Sequence, residues 1–131
     1  MFSEVAVPLE KLNPDHVWPA PGYNHVVKAG NTVYIAGQVG RKPDGTVAGA
    51  DIESQTDQVF ENMIAALKSV GADLKDLAKI TVYLTDRGDM QGFMSTKSKY
   101  ISTELPAQTV AIVGLASPDF KVEVEAIAVL T

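Results

Sequence analysis

The sequence predicts an α+β domain: a mixed six-stranded sheet with two helices packed on one face, in the order βββαβαββ. Three patterns carry this expectation. Five segments alternate their side chains with the two-residue period of a strand. The stretch 52–70 repeats apolar residues at the i, i+3, i+4 spacing of an amphipathic helix, and glycine- or proline-bearing turns separate the segments. The 131 residues show no linker, repeat or low-complexity run, so 1–131 reads as a single domain.

Residues 1–24 contain Pro8, Pro14, Pro19 and Pro21 around Trp18, which forbids a long helix and predicts an extended, loop-like lead-in. His25 to Ala29, Gly30-Asn31 and Thr32 to Gly40 read as a hairpin with a short turn. On its second strand Val33, Ile35 and Val39 fall on one face, and Tyr34, Ala36 and Gln38 on the other. In the turn Lys42-Pro43-Asp44-Gly45-Thr46, proline presets φ and glycine accepts a positive φ; a short third strand is expected at 46–48. The helix over 52–70 lines up Val59, Phe60, Met63, Ile64, Leu67 and Val70, with Asp51 as N-cap, Glu53 near the positive end and Gly71 as the stop. Ala78 to Thr85 returns to strand, with Ile80, Val82 and Leu84 on one face. A second helix over 89–102 is expected to bury Met90, Phe93, Met94, Tyr100 and Ile101, although Gly92 costs it about 1 kcal/mol against alanine. Gln108 to Leu115 and Lys121 to Leu130 close the chain as two strands.

Two helices cover only one face of such a sheet. The other face is then expected to carry Tyr34, Ala36, Gln38, Thr81, Tyr83, Val110, Ile112, Ile127 and Val129. That is too apolar to leave in water, and the sequence asks for a partner there.

Composition narrows the chemistry. A net charge of −5, with only two arginines and no basic run, argues against a nucleic-acid partner bound through phosphate neutralisation. No apolar run approaches the roughly 20 residues needed to span a bilayer, so no membrane partner is expected. Neither a signal peptide nor a cysteine is visible, which fits a cytoplasmic location and removes disulfides, thiolate metal sites and a cysteine nucleophile. His16 lies in the proline-rich lead-in and reads as solvated; His25 opens a strand, and nothing nearby in sequence orients it as a base. The G-x-x-G run at 37–40 reads as a bent strand with a close backbone approach. There is no G-x-S-x-G elbow, phosphate loop, dinucleotide fingerprint or H-E-x-x-H.

The last strand is unusual. Val122, Val124, Ala126, Ala128 and Leu130 make a core face, whereas Glu123 and Glu125 share the other with Lys121, Ile127 and Val129. A carboxylate on a half-apolar face is either a rim residue or a site residue. The preceding strand turns Gln108, Val110, Ile112 and Gly114 one way, so direct pairing of the two strands would let Gln108 and Glu123 share a face.

PAQT at 106–109, SPD at 117–119 and VEVEAIAV at 122–129 resemble the close of the RidA (YjgF) family. AGNTVYIAGQVG at 29–40, DIESQTDQVFENMIAAL at 51–67 and KITVYLTD at 79–86 agree with it. The resemblance implies a homotrimer with small-ligand pockets between subunits. It also implies a deaminase, without metal or other cofactor, that hydrolyses an imine or enamine such as 2-aminoacrylate to a keto acid and ammonia. By the same resemblance Glu123 positions the attacking water, Gln108 stands at the substrate clamp, and Tyr23, Ala36, Gly37, Met94 and Val110 line the substrate site.

The chain departs from the family pattern at the clamp, where deaminating members carry arginine and this chain has Gln108. Glutamine offers neutral hydrogen bonds in place of a bidentate charged fork. A charged hydrogen bond is worth roughly 1.5–3 kcal/mol against about 1 for a neutral one, so a carboxylate ligand loses about one to two powers of ten in affinity there. Val110 stands where many members have cysteine. Three readings follow: an imine or enamine hydrolase whose substrate is not the usual 2-aminoacrylate, a trimer that binds a small ligand without turnover, and an endoribonuclease or translation inhibitor, which the acidity disfavours.

Overall fold

The computed structural model describes residues 8–131, so the first seven residues of the predicted lead-in lie outside the described residues. The strands are β1 (Leu9–Leu12), β2 (Val26–Ala29), β3 (Thr32–Val39), β4 (Leu77–Leu84), β5 (Ala107–Ile112) and β6 (Val122–Val129), with helices α1 (Ile52–Lys68) and α2 (Met90–Lys97) between them. They form one sheet in the order β1-β2-β3-β6-β4-β5. β4 and β5 run parallel, joined through α2, and every other neighbouring pair is antiparallel.

The element order is the expected βββαβαββ, but the extra strand is a different one. Residues 46–48 make only an isolated bridge, Arg41 to Val47. The strand lies instead inside the proline-rich lead-in: β1 fits between Pro8 and Pro14 and pairs with β2 through Leu9 and Ala29. Prolines flank this edge strand without interrupting its ladder, which is where sheets tolerate them.

α1 buries Val59, Phe60, Met63, Ala66 and Leu67 against Val33, Ile35, Ile80, Val82, Leu84, Val122 and Val124. It ends at Lys68, and Ile64 and Val70 are only half-buried. Gln55, Thr56 and Asn62 take buried positions on the same helix. Gln55 acts as a staple between three backbone segments. Its Nε2–H group donates to Gly49 O (2.8 Å) and Asp119 O (2.9 Å), and its Oε1 accepts from Lys121 N–H (2.8 Å), just ahead of β6.

α2 is shorter than the predicted 89–102, and its buried residues are Phe93, Thr96 and Lys97. Met90 and Met94 are exposed, and Tyr100 and Ile101 pack beyond the helix, Tyr100 stacked on Phe60 at 5.1 Å. Gly92 sits where α2 crosses the start of α1, and a Cβ there would lie 2.6 Å from Ile52 Cγ2. The glycine that weakens the helix signal also permits the crossing.

Two registers move side chains away from their expected faces. Between Ile35 and Gln38 the β3–β6 ladder shifts by a bulge, so Gln38 pairs with Val124 and Val39 with Glu123. An extra residue inverts the alternation beyond it. Gln38 therefore turns inward, where it is 2% exposed, and Val39 leaves the core face. β5 pairs with β4 and not with β6: Gln108, Val110 and Ile112 align with Ile80, Val82 and Leu84 of the core face. The helix-free face consequently holds Tyr34, Thr81, Tyr83, Thr109, Ala111, Ile127 and Val129, without Gln38, Val110 or Ile112.

Candidate active site

The β3 bulge and the start of β6 build one cavity of about 280 Å³. Tyr23, His25, Gly37, Gln38, Arg41 and Glu123 line it, with Trp18 and Phe120 as aromatic walls. The fit is tightest at Gly37, where a Cβ would fall inside the Glu123 carboxylate and lie 2.7 Å from its Cδ. Only glycine lets the carboxylate lie against the β3 backbone. Burial pushes the Glu123 carboxyl above the ordinary glutamate range, and the charge of Glu125 adds to the rise. A carboxylate with a raised proton affinity can take a proton from water and return it to a departing amine.

A buried relay sets the inner wall. His25 Nε2–H donates to Trp18 O at 2.5 Å, which leaves Nδ1 to accept from Gln38 Nε2–H at 3.0 Å; Gln38 also donates to Ala36 O at 3.0 Å. Both His25 nitrogens are therefore occupied by structural bonds. Tyr23 packs edge-on against the His25 ring, centroids 5.6 Å apart, while remaining 51% exposed. Glu125, two residues from Glu123, is exposed and accepts the Tyr83 hydroxyl. His16 is exposed, as expected.

The structure brings together Glu123, Gly37 and Tyr23 from the sequence expectation, and the Ala36 carbonyl serves the relay behind them. It does not bring Gln108, Met94 or Val110 to that cavity. Gln108 lies on the opposite face, with β4 between its strand and β6. Its Oε1 accepts from Lys97 Nζ at 2.6 Å, and its Nε2–H points to Met94 Sδ at 3.5 Å. Lys97 is 7% exposed, and burial lowers its ammonium pKa. Val110 packs partly against the core. Trp18, Gln38, Arg41 and Phe120 line the cavity without having been singled out from sequence as site residues. No group of three or more histidine or acidic side chains suited to a metal occurs among the described residues. No helix there is long and apolar enough to cross a membrane.

The sequence pattern described as Endoribonuclease L-PSP matches residues 14–130. A RutC family protein of Pyrococcus abyssi is 37% identical over 111 residues, covering 84% of this chain and 87% of that protein. The chloroplastic Reactive Intermediate Deaminase A of Arabidopsis thaliana is 34% identical over 109 residues, covering 82% of this chain and 58% of that protein. Among solved structures, RidA from an Antarctic Psychrobacter superposes with a TM-score of 0.87 at 32% identity, covering 92% of this chain and 99% of that one. Yeast Mmf1 superposes at 0.90 with 29% identity, covering 95% and 100%. With a pattern match across nearly the whole chain and these likenesses in sequence and fold, the chain belongs to the RidA (YjgF) family.

Proposed function

We propose that this protein is a RidA-like hydrolase of small imines or enamines, acting on a reactive metabolite other than the usual 2-aminoacrylate and working as a homotrimer. The observation that carries the reading is the Glu123 carboxylate laid against Gly37 in a partly closed cavity beside Tyr23. The name of the Arabidopsis relative, a reactive intermediate deaminase, supports the same chemistry. In the reaction Glu123 holds a water and accepts its proton as oxygen bonds to the imine carbon. The C=N pair moves to nitrogen, and Glu123 passes the proton there to complete the carbinolamine. Glu123 then takes the carbinolamine's hydroxyl proton and delivers it to nitrogen as the C–N bond breaks, so that a carbonyl compound and ammonia leave. The water consumed balances the step, and the residues supply position and proton traffic.

Gln108 and Met94 enter this reading across a subunit boundary, because within one chain they lie on the far face of the sheet. One observation favours binding without turnover instead. The Gln108 carbonyl is already engaged by Lys97, so position 108 presents no charged clamp. Ammonia release from freshly generated imines decides between the two. Release that Glu123→Gln abolishes supports the hydrolase; saturable ligand binding with no ammonia from any imine supports the binding protein.

A further inference from the structure

The cavity beside Glu123 contains a cation that the proposed reaction does not use. Arg41 follows the end of β3, and its guanidinium carbon lies 5.4 Å from the Trp18 ring centroid and 5.1 Å from that of Phe120. Contacts of this kind hold the charge through the faces of the guanidinium and leave its N–H edge to take a planar anion. That edge makes no hydrogen bond or ion pair among the described residues. Arg41 Nε is buried without a hydrogen-bond acceptor among the described residues, and the ion pairs found there, Lys99–Asp57 and Lys121–Asp89, do not include it. Nε is closed off beneath the rings, so it is the remaining guanidinium nitrogens, equally without a partner among the described residues, that are left to meet an anion in the cavity.

The mount is rigid. Asn62 Nδ2–H donates to Val39 O at 3.1 Å and to Arg41 O at 3.0 Å, fixing the strand exit. Trp18 is held through its carbonyl by His25. Among the lining residues Arg41 is the sole lysine or arginine and Glu123 the sole acidic one, and the two are not paired with each other. A site with one unpaired cation and one carboxylate fits a ligand with an anionic end and an electrophilic carbon.

We propose that Arg41 is the carboxylate-binding group of this cavity. Its N–H edge takes the anionic end of a carboxylate-bearing imine, or of the 2-oxo acid that imine becomes, and so supplies from the β3 wall a charge that position 108 lacks. The identity of the reacting end rests on the hydrolase reading above; the anion site itself does not. Anchoring from a different wall changes which imino acids fit, and leaves acids as the preferred class.

The test is a titration of the full-length protein with 2-oxobutanoate and, separately, its neutral amide, followed by calorimetry and by the NMR signal of Arg41 Nε–H. The expected result is saturable binding of the acid with a shift of that signal, and binding of the amide weaker by about ten- to a hundredfold. Arg41→Met should weaken the acid by a similar factor, and Arg41→Lys by less, while Lys42→Met leaves it unchanged. Equal affinity for acid and amide, or an unmoved Nε–H signal at saturation, overturns the proposal even if Arg41→Met fails to fold. The two readings fail separately. Acid binding at Arg41 with no ammonia from any imine removes the hydrolase and keeps the anion site. Turnover of an imino acid whose KM is unaltered by Arg41→Met removes the anion site and keeps the hydrolase.

Discussion

The chemistry proposed above rests on Glu123, whose titration is testable in its own right. Its folded pKa lies above the ordinary glutamate value because the buried carboxylate loses water and faces Glu125. The native state therefore holds this proton more tightly than the unfolded chain. The associated stability is intact below the ordinary carboxylate range and is lost as pH rises through the raised pKa. Glu123→Gln should accordingly melt higher than wild type at about pH 8 and converge with it near about pH 4, as calorimetry will show. Convergence at the higher pH instead would mean that the charge is fully compensated in the native protein. Turnover should fall on acidification through the same pKa, and Glu123→Gln should lower it by about 10²–10⁴-fold. Glu125 is the control, since it is exposed and already bonded to Tyr83. Glu125→Gln should cost less than about tenfold, and it should move the acidic limb of the pH–rate profile to lower pH by removing a like charge. Gly37→Ala should cost about 1–3 kcal/mol by overpacking and remove turnover together, because the carboxylate must leave its seat.

At the scale of elements, the alternation and the helical spacing were enough to place five strands and both helices, and they pointed to Glu123 by its odd company. What they could not show was register. One extra residue near Ala36 exchanges the faces of Gln38 and Val39, and nothing in AGQVG announces which residue is extra. Likewise a terminal pair of strands looks like a hairpin, yet here a parallel β4–β5 unit sets β4 between them and carries Gln108 to the other face. Buried polar residues were hidden for the opposite reason: their type advertises solvent. Gln55 is fully buried because three backbone groups need its two ends. Removing it leaves those groups without partners at about 1–3 kcal/mol each when buried. Gln55→Leu should therefore destabilise by about 3 kcal/mol and loosen the 114–121 loop that delivers β6, checked by urea unfolding and hydrogen exchange at Lys121. Unchanged stability would show that water replaces the amide.

At the scale of the molecule, one side of the sheet carries no helix among the described residues, and that side carries Glu123. Tyr34 is 49% and Val129 41% exposed on it, with Ile127, Thr81 and Ala111 between. We propose that another copy covers this face, whose apolar residues sit among Glu123, Glu125 and Lys79. From the family resemblance we propose that the assembly is a trimer. Light scattering should then return three times the 14.0 kDa chain mass at micromolar concentration. Val129→Glu places a charge on the face proposed to be covered, where an uncompensated carboxylate is costly. It should shift the mass toward one chain while circular dichroism keeps the helix and sheet signal, since Val129 is not part of the buried core. If the proposed site draws Gln108 and Met94 from a neighbouring copy, activity should fall with assembly. A stable wild-type monomer would remove the trimer. A Val129→Glu monomer with undiminished turnover would leave the trimer standing but place the whole active site within one chain.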